Sequence, residues 1–293
     1  MSEIRQRWRL VFARGEEARY LAHLDAVRLW ERAFRRGEIP VATSEGFSPR
    51  PKLIFAAPLQ LGMLAQHELA DMYLAERLTA PHLRGRLQAG MPRGYSVVDL
   101  HDVWIGEPAL APQLAAADYR MTLLNVEQAR LEEAADQLMA AETLPRERRK
   151  EARTIPYDLR PLVLGLRVGP ADPAALPPDA TASTSASLWV RLRHTQDRGS
   201  GRAEEVVAAL ADLMGMAARV PGAEDGETAS EPVEARPASA TNGQAPILES
   251  TATFVESSPA TRAIEIVRPV RERLWLAGEI VPAERAPVDP SGG

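Results

Sequence analysis

The sequence predicts an α+β protein made of two successive units, each with the element order β-α-β-β-α-β. Two observations support this prediction. Short runs of alternating apolar residues, typical of half-buried strands, are separated by longer segments with the apolar period of a helix. The same order of elements occurs twice along the 293 residues, a length sufficient for two cores. This order is the split βαβ pattern of ferredoxin-like folds, in which two helices cover one face of an antiparallel sheet.

The first unit is predicted within residues 1–105. Trp8, Leu10 and Phe12 alternate with Arg7, Arg9 and Val11, which indicates a half-buried strand. The apolar period becomes helical over residues 21–36. Further on, the patterns predict strands at 52–57, 68–76 and 95–103 and a short helix at 81–89.

The second unit is predicted within residues 118–281, after a Pro/Ala-rich linker at 106–117. Its patterns predict strands at 119–124, 155–168, 187–193 and 263–267, and helices at 126–141 and 203–216. Two insertions, 170–186 and 221–246, and the tail at 282–293 contain few large apolar residues. Because such segments cannot bury enough surface to offset their ordering entropy, we expect all three to be disordered.

A proline-rich loop in the first unit is the first candidate binding element. Pro49 and Pro51 fix their own φ angles and favour an extended, stiff segment. Alternation in such a segment places Arg50 and Lys52 on one side, roughly 6–7 Å apart. Phe47 either plugs the core or offers a ring for stacking. The alternative is a rigid connection between strands whose charges are merely solvated.

An arginine stripe on the preceding helix is the second candidate. Arg28, Arg32 and Arg35 recur at helical spacing on one face, and Arg36 follows them. Such a run is commonly a solvated helix face. The helix ends a few residues before the proline-rich loop, so the two could instead form one surface suited to phosphate groups.

Three further residues have open assignments. The helical period places His23 on the apolar side, where a hydrogen-bonded structural role is the alternative to general acid/base catalysis. Asp158 and Arg160 alternate in a segment predicted to be extended and follow a basic cluster at 146–153. They either pair or contact a ligand, or they belong to an ordinary charged surface.

Composition excludes several classes of site. The chain has no cysteine, so it cannot hold a thiolate zinc site or an iron–sulfur cluster through thiolates. No nucleotide-binding glycine loop, zinc motif or nucleophile elbow is present. We therefore expect no metal and no cofactor on this chain. No apolar run reaches the length of a membrane span, and we expect a cytoplasmic protein that does not contact membranes.

Three stretches of the first unit resemble an uncharacterised family of radical-SAM-linked proteins. They are residues 19–28 (RYLAHLDAVR), 31–36 (ERAFRR) and 44–52 (SEGFSPRPK). Members of that family occur beside, or fused to, a B12-binding-type radical SAM protein. The resemblance implies such an enzyme as a partner in trans, which would carry the cluster, SAM and any cobalamin. The family usually has serine where this chain has Ala22, and losing that helix cap costs about 1 kcal/mol.

These observations favour a non-catalytic, RNA-binding accessory module that works with a separate radical SAM enzyme in RNA modification. The two-unit architecture is also similar to that of CRISPR repeat-processing endoribonucleases and some pseudouridine synthases, which handle RNA. One alternative is an RNA-processing or RNA-modifying enzyme with His23 as the acid/base. Another is a protein–protein adaptor whose acidic insertion, at 222–234, engages a basic partner.

Overall fold

The computed structural model of this chain describes residues 3–44, 49–150, 153–197, 199–219 and 263–279. These residues form a mixed α+β fold with four α-helices and one mostly antiparallel sheet of ten strands. A separate two-stranded hairpin stands outside the large sheet. No helix in the described part of the chain is long and apolar enough to span a membrane.

The first half of the sheet is built from the first unit. Strand β1 lies between β4 and β3, and β2 pairs with the C-terminal part of β3, where Leu53–Phe55 oppose Met72–Ala70. The elements are β1 (Gln6–Arg14), α1 (His23–Arg36), β2 (Leu53–Phe55), β3 (Leu64–Leu74), α2 (Ala80–Gly90) and β4 (Tyr95–Val103).

The apolar side of β1 defines which face of this half carries the helices. Trp8, Leu10 and Phe12 are buried in one cluster with Trp30 and Phe34 of α1. The rings of Phe12 and Trp30 meet edge-on with their centroids 5.2 Å apart, a geometry that aromatic pairs favour. Because side chains alternate along a strand, Arg7 and Arg9 lie on the opposite, helix-free face.

The second half of the sheet repeats this arrangement. Strand β5 lies between β9 and β12, and β8 pairs with the outer side of β9. Alternate residues of β5 and β9 pack against α3 and α4. The elements are β5 (Leu114–Leu124), α3 (Gln128–Ala140), β6 (Pro145–Lys150), β7 (Arg153–Asp158), β8 (Val163–Pro170), β9 (Ser185–Thr195), β10 (Gly199–Ser200), α4 (Ala203–Leu213), β11 (Ala218–Arg219) and β12 (Ile264–Leu276).

A short parallel contact between β3 and β12 joins the two halves. Only Leu64 and Ala65 of β3 pair with residues of β12. A buried ion pair reinforces this contact, because Arg271 donates from Nε to Glu68 at 2.7 Å and also bonds the Ala57 carbonyl. Burial alone would lower the pKa of Arg271, but the adjacent Glu68 carboxylate outweighs that effect and raises it.

The same ion pair shows that all four helices lie on one face. Glu68 shares its face of β3 with Ala70 and Met72, which pack under α1 and α2. Arg271 is in register with Tyr119, which packs in the core under α3 and α4. The helix-bearing faces of the two halves are therefore continuous, and so are the helix-free faces.

Several predicted boundaries differ from the structure. The linker predicted at 106–117 is shorter, because β5 begins at Leu114. The strand predicted at 155–168 is two strands, β7 and β8, separated by a turn of 3₁₀ helix, and β7 pairs with the basic strand β6. Strand β12 extends nine residues beyond the predicted end at 267. A bulge after Val267 interrupts the alternation that sequence patterns rely on.

The segment 170–186 follows a defined path instead of the disordered one expected. It contains two short 3₁₀ turns, and Ala171 and Ala186 are buried. Its polar groups bond to the sheet: Asp172 pairs with Arg120, and the Ala174 carbonyl accepts from the Arg268 guanidinium. Those tertiary bonds offset the entropy cost of ordering the segment. Composition alone had suggested that this cost would keep the segment disordered. The insertion predicted at 221–246 and the tail at 282–293 lie outside the described residues.

Candidate nucleic-acid interface

The arginine stripe of α1 lies on the surface, as predicted, but much of it is engaged locally. Arg28 pairs with Asp25 at 3.4 Å, and Arg35 donates to the Glu31 carbonyl at 3.4 Å. Arg36 donates to the carbonyl of Gly90 on α2 at 2.8 Å. Arg32 is exposed and makes no bond to any residue that the structure describes.

The two described ends of the proline-rich loop are bonded to each other. Ser44 N–H donates to the Arg50 carbonyl at 2.8 Å, and Arg50 N–H donates back to the Ser44 hydroxyl at 3.1 Å. The Arg50 side chain is exposed. The Lys52 ammonium lies 4.5 Å from the centroid of the Tyr73 ring. Phe47, the predicted stacking residue, lies outside the described residues.

The stripe and Lys52 do not share a surface. Tyr73 alternates with Met72 and Leu74, which pack under α1 and α2, so Tyr73 and Lys52 lie on the helix-free face. The α1 arginines lie on the other side of the sheet. The helix and the loop are close together along the chain, but Lys52 lies on the opposite face of the sheet.

His23 is not buried between Trp30 and Phe34. It is the first residue of α1, follows Ala22 at an N-cap position without a side-chain cap, and is exposed. Its ring meets Phe55 edge-on, 5.6 Å between centroids, beside a cavity of about 20 Å³, a volume large enough for one water molecule. Although the side chain is exposed, this contact partly desolvates the ring and lowers the pKa of His23.

The other polar groups around this cavity are committed elsewhere. Arg14 is buried and donates to the carbonyls of Gln60 and Met63, and Glu68 is bound to Arg271. Within the described part of the chain, His23 makes no hydrogen bond that would fix its tautomer. Acid/base sites commonly include a group that orients the base, and none contacts the His23 ring among the described residues.

Asp158 and Arg160 have structural bonds. Asp158 Oδ1 accepts from the backbone N–H of Leu144 at 2.7 Å and of Arg160 at 3.0 Å. The Arg160 guanidinium donates to the carbonyls of Met139 and Val163, each at 2.9 Å. Asp158 ends β7, so the two residues do not alternate along one strand as the sequence suggested. Together they fasten the hairpin to the end of α3.

The helix-free face of the second half carries a group of residues that sequence analysis did not single out. In β9, Leu188, Val190 and Leu192 pack under the helices, which leaves Trp189 and Arg191 on the opposite face. The neighbouring strands add their own charged and aromatic residues to this face. We call the following set the Arg–Trp face: Arg167 (β8), Trp189, Arg191 and Arg193 (β9), Asp118 and Arg120 (β5), and Arg273 and Trp275 (β12).

Trp275 is held between two guanidiniums. The Arg191 and Arg273 guanidinium carbons lie 4.7 and 4.0 Å from its ring centroid. Asp118 fixes the arrangement, because it accepts two bonds from Arg191, at 2.6 and 2.7 Å, and one from the Trp275 indole N–H at 2.8 Å. The hydrogen bonds from Arg191 to Asp118 raise the pKa of Arg191. Arg273, by contrast, keeps 47 % of its side chain exposed.

Trp189 forms the second aromatic site. The Arg167 guanidinium carbon lies 3.7 Å from its ring centroid. Two nitrogens of Arg167, Nε and one terminal nitrogen, are buried and have no hydrogen-bond acceptor among the described residues. In register, Trp189 is flanked by Arg167 on one side and Arg120 on the other.

A cleft of about 620 Å³ continues this face toward the first half. It lies where β12 and β5 meet the ends of β1, β3 and β4. Its walls include small apolar side chains, several polar groups and the backbone of two glycines. The lining residues used below are Ala65, Arg120, Asp172, Ala174, Ala175 and Arg268.

One signal for the Arg–Trp face was present in the sequence. The predicted strand at 187–193 alternates apolar residues with Trp189, Arg191 and Arg193, so its polar face could have been noted. Trp275 and Arg273 gave no such signal, since the last strand was predicted to end at 267. Only strand pairing brings β9 and β12 to either side of β5.

Comparison with protein families gives one match. The sequence profile of a family described as "Uncharacterized protein conserved in bacteria (DUF2344)" matches residues 7–199. No curated protein has a significant match to the chain. The matched region contains Arg167, Trp189 and Arg191, whereas β12 with Arg273 and Trp275 lies beyond it.

Proposed function

We propose that this chain, which belongs to the family of uncharacterised bacterial proteins designated DUF2344, is a non-catalytic module that binds single-stranded RNA. One observation carries the proposal. The helix-free face of the sheet presents two tryptophans, each in contact with the guanidinium of at least one arginine. Unstacked RNA bases are commonly held by stacking on aromatic rings and guanidinium planes, while cations hold the phosphates.

The charge of this face suits a phosphate backbone. Asp118 is occupied by Arg191 and the Trp275 indole. Arg273 has only a long contact of 3.9 Å with Glu279, and Arg167 has no carboxylate partner among the described residues. Among the described residues of the face, the positive charge thus exceeds the negative charge. An open sheet does not enter the grooves of a duplex as a helix does, which favours a single strand.

We interpret each half as a ferredoxin-like unit. The order β4-β1-β3-β2 in the first half and β12-β5-β9-β8 in the second both support this interpretation, since each places the first and third strands at the centre. Four-stranded sheets of related topology bind single-stranded RNA on the face away from their helices. The Arg–Trp face is the corresponding surface of the second unit.

We further propose that the module presents its RNA to a separate radical SAM enzyme of the B12-binding type. The sequence resemblance supports this partnership, and the absence of cysteine means that this chain supplies no thiolate for the cluster. We expect the two proteins to co-purify, with less recovery after RNase treatment. Deletion of either gene should remove the same RNA modification. Two deletion strains with unrelated modification defects would contradict the partnership but leave RNA binding in place.

The binding test compares the Arg–Trp face with the α1 stripe. Trp275→Ala removes a ring whose stacking on a base contributes about 1–3 kcal/mol, so it should weaken binding of a fluorescent single-stranded RNA about 5- to 150-fold in an anisotropy titration. Arg273→Ala should also lower the slope of log affinity against log salt by about 0.7. Arg32→Ala, an exposed arginine on the other side of the sheet, is the matched control and should change neither quantity.

Two results would contradict the proposal. One is a wild-type protein without salt-sensitive RNA binding. The other is a Trp275→Ala protein that keeps its thermal unfolding transition and binds RNA as the wild type does. If Arg32→Ala alone weakened binding, the RNA would lie on the α1 stripe.

A further inference from the structure

We infer that the 620 Å³ cleft beside the Arg–Trp face receives one unpaired guanine base of the bound strand. The inference rests on the proposed RNA binding and adds a base preference to it. The cleft is within the 300–1,000 Å³ range typical of small-molecule sites. The argument depends on four features of the cleft: its position, its walls, its charge balance and its polar edge.

The position of the cleft allows one strand to occupy both sites. Arg120, which lines the cleft, is directly opposite Trp189 in the β5–β9 register. Neighbouring strands are roughly 5 Å apart. A base stacked at Trp189 is therefore about one strand width from the cleft, on the same helix-free face.

The walls of the cleft suit a flat aromatic base. Small or apolar side chains form much of its lining, so little side-chain volume fills it. A base inserted there would contact apolar surface on its faces and polar groups at its edge, as flipped or splayed bases do in proteins. The apolar lining residues are Ala13, Leu64, Ala65, Ala174, Ala175 and Val270.

The charge balance favours a base over a phosphate. Arg120 pairs with Glu272 at 2.8 Å and with Asp172 at 3.3 Å. Arg268 pairs with Glu16 at 3.0 Å and donates to the Ala174 carbonyl at 2.9 Å. Arg14, the third guanidinium in the lining, donates to the carbonyls of Gln60 and Met63. The three carboxylates that pair with Arg120 and Arg268 balance the three guanidiniums, so these described groups leave no surplus of positive charge. This contrasts with the Arg–Trp face, where cations exceed carboxylates.

The polar edge combines a carboxylate with guanidiniums. Asp172 is 39 % exposed, and each of its oxygens accepts one bond in the structure, which leaves acceptor capacity on both. Guanine presents two neighbouring N–H donors on its Watson–Crick edge and acceptors at O6 and N7. A carboxylate can accept from the donors while an arginine donates to the acceptors. Adenine would instead point its N1 acceptor at the carboxylate.

The backbone holds Arg268 at this site in an unusual conformation. Arg268 has φ +49°, in the left-handed region, and precedes Pro269 within the β12 bulge. This conformation is disfavoured for a residue with a side chain, so the surrounding bonds must impose it. Glu16 from the first half and Ala174 from the segment covering the second half together fix the guanidinium in the cleft.

The experiment measures affinity for four ten-residue RNAs, namely oligouridylate and the same strand with a single central guanine, adenine or cytosine. We expect the guanine strand to bind roughly tenfold more tightly than the others, the discrimination typical of one bidentate contact. Asp172→Asn should remove this preference while the affinity for oligouridylate is kept. Asp179→Asn, an exposed acidic residue of the same segment, is the matched control and should keep the preference.

A second variant tests the cleft without altering its charge. Ala175→Leu places a larger side chain in the lining and should reduce binding of the guanine strand to the oligouridylate level. Thermal unfolding of each variant checks that it is folded. Free GMP should bind far more weakly than the guanine strand, in an Asp172-dependent way. Equal or tighter binding of GMP would overturn the assignment of the base to RNA.

The outcomes separate the two proposals. If all four RNAs bind equally and Trp275→Ala still weakens them, the guanine site is wrong and RNA binding stands. If none of them binds, the proposed function is wrong and this inference is overturned with it. If Asp172→Asn and Ala175→Leu are folded and retain the guanine preference, the base lies elsewhere on the protein.

Discussion

The two halves of the sheet use strand arginines in opposite ways. In the first half, Arg7 and its neighbour Arg9 both bond Asp71, and the side chains of Arg7 and Asp71 are each only 1 % exposed. In the second half, Arg191 bonds Asp118 with two hydrogen bonds, but its side chain is 14 % exposed and stacks on Trp275. Both sets occupy the helix-free face.

The difference comes from what covers each set. In the first half, the segment after β4 crosses the face, and the Arg7 guanidinium donates to the carbonyls of Glu107 and Pro108. Around Trp275 no described segment crosses in this way. Arginine at alternate strand positions thus gives a buried ion-pair cluster in one half and a partly exposed surface in the other.

The largest expected effect on stability distinguishes the buried ion pairs of the first half from the partly exposed ion pair of the second. Asp71→Ala leaves two buried guanidiniums without their carboxylate and should lower the free energy of unfolding by about 3–5 kcal/mol. Asp118→Ala should lower it by only about 1–2 kcal/mol, because Arg191 can reach solvent. Urea unfolding measures both. Equal losses would mean that the two sets are equally structural and would break the comparison.

The junction between the halves gives the next effect. Glu68→Leu leaves Arg271 buried and unpaired, at a cost of about 3 kcal/mol in unfolding free energy. The double variant Glu68→Leu with Arg271→Met should be more stable than the single variant, because no uncompensated charge remains. Urea unfolding of the single and double variants checks this. A double variant less stable than the single one would show that the pair itself stabilises the junction.

His194 sharpens the contrast within the second half, because it is a half-buried titratable group whose buried Nδ1 has no hydrogen-bond partner among the described residues. Burial, with a smaller effect of the nearby Arg271 charge, lowers the pKa of His194 to about 4. The neutral form therefore stabilises the fold fully above the unfolded pKa of about 6.5, and this contribution is lost as the pH falls toward 4.

The expected loss from His194 is roughly 2–3 kcal/mol between pH 7 and pH 4. Replacing His194 by glutamine should remove this part of the pH dependence. Urea unfolding of wild type and His194→Gln at both pH values measures it. Identical pH profiles for the two proteins would place the titration in another group.

The smallest expected effect concerns the two cations of the proline-rich loop. Arg50 and Lys52 lie in the proline-rich loop, and Lys52 is on the helix-free face. Replacing both with alanine should weaken RNA binding by less than about 1 kcal/mol and lower the salt slope by at most about 1.4, the value for two phosphate contacts. Anisotropy titrations at two salt concentrations measure both. A loss larger than that of Trp275→Ala would move the main interface to the first half.

Sequence patterns located most elements, but they misplaced His23 and the pair Asp158 and Arg160. The helix of the first unit was predicted to begin two residues before the observed start, and its buried residues Trp30 and Phe34 follow the helical period. The helical wheel placed His23 with them, because it treats every turn of the helix as packed against the core. In the structure the first turn extends beyond that core, so His23 is exposed.

The polar sites failed for a different reason. The interpretation of Asp158 and Arg160 required one continuous strand, and a turn of 3₁₀ helix separates them. The prediction that Arg32 and Lys52 share a surface assumed that residues close in sequence are also close in space. In the structure the sheet lies between them. Both interpretations rested on the spacing of residues that are close in sequence. The actual positions of these residues depend on where a strand ends and on which face of the sheet each residue lies.

By itself, the sequence determined the α+β class, the order of strands and helices in the first half, and the buried side of β1, because these follow from the local alternation of apolar residues. The tertiary structure alone decided that β9, β5 and β12 lie side by side and that residues 170–186 bond to them. It also decided that a segment covers Arg7 while Arg273 stays exposed. Pairing between distant strands and the covering of a face depend on residues far apart in sequence. The local spacing of apolar residues therefore does not predict them.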